Sequence, residues 1–130
     1  MSSLIPDSHL DLLHRPLYCH LATVSPAGRP QSNPMWVSWD GTHLRFTHTS
    51  TRRKYAQLQA NPHLAISIVD PDNMARYLEV RATVAEIVPD PTGAEYDALS
   101  KRYGRGPQIP PDAADRVVIL ATPYHVTTRG

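Results

Sequence analysis

Apolar and polar residues alternate along most of the chain, and short segments rich in proline, glycine or asparagine interrupt the alternation. A two-residue period is typical of half-buried β-strands joined by tight turns. The strongest short hairpin signal is the pair Asp40-Gly41. The pattern predicts strands over residues 17–24, 30–39, 42–49, 63–69, 76–88, 117–121 and 124–128, with Pro123 separating the last two.

The apolar spacing changes to a helical period in three places. We expect a short helix over residues 7–14 capped by Asp7, a second over 51–61 that ends at Asn61-Pro62, and a third through residue 103 after a cap at 89–92. Many hairpin strands with few helices and no alternating βαβ units favour an antiparallel barrel. The sequence therefore predicts one domain, residues 1–130, that is mainly β.

Composition excludes several classes of protein. The 130 residues contain no apolar run long enough to span a bilayer, and the first residues lack the apolar core of a secretory signal, so we expect a cytoplasmic protein. The single cysteine, Cys19, excludes an internal disulfide and a thiolate metal site, and its strand position favours a buried apolar role over a nucleophile. The seven histidines show no metal-ligand spacing, so no metal is expected.

Charge is balanced over the whole chain but not locally. Lys and Arg number 13 and Asp and Glu number 12, yet no acidic residue lies between Asp40 and Asp70, a segment that holds Arg45, Arg52, Arg53 and Lys54. Cations at the start of a helix oppose its macrodipole, so this segment has the parts of a phosphate site. The alternative is a solvated basic turn. A nucleic-acid site is disfavoured because no aromatic residues are interleaved with the cations.

Several short motifs, in this order, carry a resemblance to a known family: Ala22-Thr-Val, Gly28-Arg-Pro-Gln31, Trp36-x-x-Trp-Asp-Gly41, Thr51-Arg-Arg-Lys-Tyr-Ala-Gln-Leu58 and Arg76-Tyr-Leu-Glu-Val-Arg81. The chain resembles the split β-barrel flavin and deazaflavin oxidoreductases related to pyridoxamine 5′-phosphate oxidase, and within them the coenzyme F420-dependent reductases. The resemblance implies a split antiparallel β-barrel with a few short helices, and a homodimer with the cofactor site at the subunit interface.

The resemblance also implies the residues that bind the cofactor. Arg53 and Lys54 match the pair that holds the cofactor phosphate, with Arg52 beside them, and Tyr77 matches a position contributed by the second subunit. The residues that match the strand end leading into the phosphate site are Thr47, His48 and Thr49. The residues that match the strand whose main chain borders the flavin or deazaflavin ring are Ser32, Asn33, Pro34, Met35, Trp36 and Val37.

The function that follows from the resemblance is hydride transfer from reduced F420 to a conjugated or unsaturated organic substrate. No side chain stands out as a catalytic acid, and solvent or a tyrosine such as Tyr77 could supply the proton. The C-terminal residues that bind pyridoxal phosphate in true pyridoxamine phosphate oxidases have no counterpart, so vitamin B6 chemistry is not expected. An FMN-dependent oxidoreductase and a non-catalytic flavin- or deazaflavin-binding protein are the alternatives.

Overall fold

A computed structural model describes residues 4–130 of the chain. Seven antiparallel strands form one sheet in the spatial order β2-β1-β5-β6-β7-β4-β3. The strands are β1 (Cys19–Val24), β2 (Pro30–Met35), β3 (Ser38–Trp39), β4 (Leu44–Thr49), β5 (His63–Asp70), β6 (Asn73–Pro89) and β7 (Arg116–Arg129). Three helices interrupt them, α1 (Asp11–His14), α2 (Arg53–Ala60) and α3 (Ala94–Arg102), and single 3₁₀ turns lie at Asp7–His9 and Ala113–Asp115.

The two longest strands form the centre of the sheet. β6 pairs with β7 over nearly its whole length, from Tyr77 opposite Arg129 to Pro89 opposite Val117, and it also pairs with β5. Register shifts interrupt the pairing with β7 twice, and irregularities of this kind bend a strand and increase its twist. The predicted mainly antiparallel β architecture is confirmed.

Two predicted strand boundaries are wrong. Pro123 does not split the last strand, because β7 continues past it with one extra residue. Pro123 pairs with Ala82 and His125 pairs with Arg81, so Tyr124 has no residue opposite it on β6. Proline is tolerated at such a bulge, where no ladder hydrogen bond from its nitrogen is needed. Conversely, the single strand predicted over 30–39 is two strands, because β2 ends at Met35 and β3 begins at Ser38.

The apolar faces of the strands enclose the core. Phe46, Leu21, Ile66 and Leu78 are at most 1% exposed. Cys19 is also fully buried, as predicted, and burial raises the pKa of its thiol to about 12. It therefore stays a thiol at neutral pH, without the reactivity of a thiolate.

α1 contributes Leu12 and Leu13 to the same core. Asp7, the predicted cap of this region, makes no capping hydrogen bond with its side chain. No helix within residues 4–130 is long and apolar enough to cross a membrane.

Candidate functional site

A cavity of about 550 Å³ lies where β2, the end of β4, the start of α2 and one face of α3 meet. Its lining divides into two chemically different parts. We call Arg52, Arg53 and Lys54 the cationic end and Tyr18, Trp36 and Tyr96 the aromatic wall. The remaining lining residues are Gln31, Asn33, Pro34, Met35, Thr47, His48 and Arg116.

The cationic end lies at the first turn of α2. Arg52 precedes the helix in an extended conformation, no acidic residue occupies the first turn, and no side chain caps it. Backbone N–H groups and basic side chains therefore share one helix terminus. Within residues 4–130, no carboxylate forms an ion pair with any of the three cations.

Lys54 is the buried member of the cationic end, with 7% of its surface exposed. Its Nζ donates to Oδ1 of Asn33 at 3.0 Å, and Gln31 Nε2 donates to the same oxygen at 2.9 Å. Burial, together with the charge of Arg52, lowers the pKa of Lys54. A buried ammonium group with an amide oxygen as its partner is only partly compensated for lost water, so it favours a further anionic partner.

Among residues 4–130, three buried polar atoms at the end of β4 have no hydrogen-bond partner: Thr47 Oγ1 and His48 Nε2, whose residues line the cavity, and Thr49 Oγ1, which lies outside the lining. Burial and the positive charges of Lys54, Arg52 and Arg116 lower the pKa of His48 to about 4, so its imidazole is neutral at pH 7. Leaving such groups unsatisfied costs free energy, and native proteins pair nearly all of them. An oxyanion such as a phosphate would supply both the negative charge and the acceptor atoms that this part of the cavity lacks.

The aromatic wall is braced by contacts among its own rings. Trp36 Nε1 donates to the hydroxyl of Tyr18 at 3.1 Å, and the Trp36 and Tyr96 rings lie 5.5 Å apart at 52°. Arg116 lies between the wall and the end of β4, because its guanidinium is 4.6 Å from the centre of the Tyr96 ring and its charge lowers the pKa of His48. The cavity thus has aromatic side chains on one side and a cluster of cations on the other.

The chain is similar to a known protein family over almost its whole length. A family model described as pyridoxamine 5′-phosphate oxidase matches residues 5–130. The chain belongs to this family. Its resemblance to the family in sequence, and the split-barrel fold expected from that resemblance, are therefore confirmed. A comparison with curated proteins found no significant match.

Solved structures of similar proteins agree with membership of the pyridoxamine 5′-phosphate oxidase family. One named F420 reductase is 55% identical, with a TM-score of 0.91 over 95% of this chain and 98% of the other. A conserved hypothetical protein from Mycobacterium tuberculosis is 18% identical, with a TM-score of 0.78 over 96% and 84%. A pyridoxamine 5′-phosphate oxidase-related, FMN-binding protein from Nostoc punctiforme is 21% identical, with a TM-score of 0.67 over 92% and 80%. The last two likenesses concern the fold alone.

The structure brings most of the predicted site residues together around the cavity. Nine of them line the cavity: Asn33, Pro34, Met35, Trp36, Thr47, His48, Arg52, Arg53 and Lys54. Four lie outside its lining. Ser32 is exposed on β2, Val37 is buried beneath the end of that strand, Thr49 is buried at the end of β4, and Tyr77 pairs with Val69 and Arg129 on β6.

Sequence reasoning missed four cavity residues: Tyr18, Gln31, Tyr96 and Arg116. Tyr96 shares a helix face with Leu99, which favoured a packing role for it over a position in a site. Arg116 reaches the site because β7 begins opposite Thr49, the last residue of β4. That register joins residues far apart in the chain and has no local signal, whereas Gln31 alternates with Asn33 on a strand already assigned to the site.

Proposed function

We propose that this protein is a cytoplasmic, single-domain F420-dependent reductase that transfers hydride from the reduced deazaflavin to a conjugated or unsaturated organic substrate. The observation that carries the proposal is the 55% identity, over 95% of the chain, to a structure named F420 reductase. Membership of the pyridoxamine 5′-phosphate oxidase family supports the oxidoreductase class. When bound, the deazaflavin supplies the hydride, so the protein contributes binding, orientation and exclusion of water.

The cationic end is the proposed site of the cofactor phosphate. Lys54 is buried and already oriented by Asn33, so it loses little side-chain freedom when it pairs with an anion. Arg52 and Arg53 are exposed at the same helix terminus and extend the positive surface toward the long anionic tail that F420 carries. The backbone N–H groups at the start of α2 are free to donate to phosphate oxygens.

The strand next to this end is the proposed edge of the ring site. The β2 residues Asn33, Pro34 and Met35 line the cavity, and Trp36 continues the same surface into the aromatic wall. Apolar and aromatic side chains there exclude water from a tricyclic ring, which lowers the local dielectric around a charge-transfer reaction. Ser32, Val37 and Thr49 would then support this edge from outside the cavity lining.

We also propose that the protein is a homodimer that completes the cofactor site, with Tyr77 reaching the site of the other copy. The support lies in the open cavity and in the exposed apolar side chains that a second copy would cover. Met74, near the start of β6, is 70% exposed, and Ile109, between α3 and β7, is 67% exposed. Sedimentation at micromolar concentration is expected to give a dimer, and a monomer that binds cofactor tightly would contradict this arrangement.

FMN is the alternative cofactor, because it also carries a phosphate that the cationic end would attract. Protein purified from a host that makes FMN but no F420 discriminates between the two. We expect a colourless preparation, since the open basic surface suits a longer anionic tail than FMN has. A bright yellow preparation with stoichiometric FMN would overturn the F420 assignment. A non-catalytic binding protein would bind F420 equally well but leave reduced F420 unconsumed with every conjugated substrate offered.

A further inference from the structure

The aromatic wall depends on a residue behind it, Tyr103, which lies just after the last turn of α3 and does not line the cavity. Its hydroxyl lies 2.7 Å from the carbonyl oxygen of Leu17 and 3.1 Å from that of Val37. The same hydroxyl accepts the backbone N–H of Val37 at 3.0 Å. One side chain therefore bonds to two chain segments that are remote from each other in sequence.

Those two segments carry two of the three wall residues, Tyr18 and Trp36. Leu17 directly precedes Tyr18, and Val37 directly follows Trp36. Both anchor points lie outside the strands, where no neighbouring strand supplies ladder hydrogen bonds. The Tyr103 ring adds a second constraint, because it stacks on Trp36 at 5.5 Å and 16° and meets the Tyr18 ring edge-on at 5.4 Å. The hydroxyl thus contacts the backbone next to Tyr18 and Trp36, and the ring contacts their side chains.

Tyr103 is itself fixed to the sheet through α3. Arg45 on β4 makes a two-point contact with Glu95 in the first turn of α3, with distances of 2.9 and 3.2 Å. At the other end of the helix, Arg102 donates to the carbonyl oxygen of Val37 at 3.2 Å and to that of Arg15 at 3.0 Å. Burial raises the pKa of Tyr103, so its hydroxyl keeps its proton and remains a donor at neutral pH.

We propose that Tyr103 is the positioning residue of the cavity: through its hydroxyl and ring it sets the separation and orientation of Tyr18 and Trp36, against which the bound ring system lies. The inference rests on the proposed function only for the identity of that ring system. The physical claim, that one phenol holds the two wall residues in place, concerns the protein without ligand. Tyr103 thus acts on binding through two other residues and touches no ligand itself.

The test is Tyr103→Phe, which removes the hydroxyl and keeps the ring. The chain has two tryptophans, so a Trp39→Phe background leaves Trp36 as the single tryptophan, which is excited at wavelengths where tyrosine does not absorb. In that background we expect Tyr103→Phe to increase acrylamide quenching of Trp36 and to lower its fluorescence anisotropy at a temperature where the protein is fully folded. We also expect F420 affinity to fall about three- to tenfold, the loss typical of a hydrogen bond that holds a site in place.

Tyr124→Phe is the matched control, because Tyr124 is exposed on β7, contacts His63 edge-on and lies outside the cavity. The same chemical change there should alter neither Trp36 fluorescence nor F420 affinity. Unchanged quenching and anisotropy in Tyr103→Phe would overturn the inference. Failure of the parent protein to bind F420 would instead count against the proposed function, and the measurements on the ligand-free protein would still decide the role of Tyr103.

A measurement on the unmodified protein decides the question if Tyr103→Phe does not fold. The Val37 amide lies outside the strands and donates to the Tyr103 hydroxyl. Its hydrogen exchange is therefore expected to be slow, comparable to that of amides within β4. Rapid exchange of the Val37 amide would show that the contact does not hold this segment, and the inference would be wrong.

Discussion

Lys54 differs from Arg52 and Arg53 because the lysine is buried, whereas both arginines are exposed. Its single hydrogen bond, to Asn33, places Nζ toward the cavity and leaves it short of negative charge. A charge-assisted contact to an anion is stronger than a neutral hydrogen bond, and it is strongest where water is excluded. Among the cations of the site, Lys54 is therefore expected to contribute most per residue to binding a phosphate.

Replacing Lys54 with methionine tests this expectation, because it removes the charge and keeps the length of the side chain. We expect F420 affinity to fall about ten- to a hundredfold, the effect of losing a contact worth roughly 1.5–3 kcal/mol. The melting temperature of the ligand-free protein should not fall, because a buried charge with a single neutral partner destabilises the fold and the substitution removes it. Fluorescence titration and thermal melting check the two results.

Lys101→Met is the matched control for this substitution. Lys101, the other lysine of the chain, is 57% exposed and pairs with Asp97 on α3, away from the cavity lining. Its replacement should leave F420 affinity unchanged. Equal affinities of Lys54→Met and the parent protein would mean that the cations form only a solvated turn.

We expect His48 to make cofactor binding dependent on pH. In the free protein its pKa is about 4, because burial and the charges of Lys54, Arg52 and Arg116 oppose protonation. An anion bound among these groups offsets part of their positive charge and raises the pKa of His48, so binding takes up a proton when the pH lies below the raised value. Affinity for the F420 phosphodiester is therefore expected to increase as pH falls from 7 toward 5.

Titrations of F420 at several pH values measure this effect, and His48→Gln provides the comparison. Glutamine keeps a polar group at the position but does not titrate in this range. The variant should show a flatter dependence of affinity on pH than the parent protein. A parent profile as flat as that of the variant would show that His48 stays neutral in the complex.

At the scale of elements, α3 leads into Tyr103, which contacts the aromatic wall, and the start of the helix is capped by a side chain. Gly93 precedes the helix in a left-handed conformation with φ of 70°, and Asp90 accepts the N–H groups of Ala94 and Glu95 at 3.1 and 3.0 Å. The carboxylate satisfies two of the free donors at this terminus and interacts favourably with the helix dipole. The start of α3 is thus fixed by one buried acidic side chain.

Asp90→Ala should lower the free energy of unfolding by about 1–2 kcal/mol, the usual cost of losing such a cap. Because α3 leads into Tyr103, we also expect the variant to weaken F420 binding. Asp7→Ala is the comparison, since the exposed Asp7 side chain makes no capping bond, and it should change neither quantity. Denaturant titration of both variants gives the stabilities, and equal values would contradict the capping role.

Elements that depend on local chemistry could be predicted from the sequence. The Asp40-Gly41 hairpin is one of them, because Asp40 Oδ1 accepts the N–H groups of Thr42 and His43 and Gly41 has a φ of 94°. The interruption after Met35 could not be predicted, since the Val37 amide there bonds to Tyr103, which lies 66 residues further along the chain. The continuity of β7 through Pro123 likewise depends on its pairing with β6.

The same distinction holds for the site. The cationic end is a run of neighbouring residues and was visible in the sequence, whereas the aromatic wall takes one residue each from three remote segments, Tyr18, Trp36 and Tyr96. The burial of Lys54 was not visible either, because the sequence pattern of a basic turn is the same whether its side chains are solvated or enclosed.

At the scale of the whole molecule, a chain with a net charge of only +1 concentrates positive charge at one end of one cavity. That asymmetry attracts an anionic cofactor over a distance of about 10 Å at moderate ionic strength, without making the rest of the surface basic. The opposite, aromatic part of the cavity suits a flat ring system. A cofactor that joins a tricyclic ring to a phosphate and a long anionic tail matches both parts at once.

The most direct test of this account is a side-by-side titration of the ligand-free protein with F420 and with FMN under identical conditions. The account predicts that F420 binds more tightly, and that its advantage shrinks as salt is added, because the longer anionic tail uses the exposed Arg52 and Arg53. Tighter binding of FMN, or an F420 affinity that does not change with salt, would contradict it.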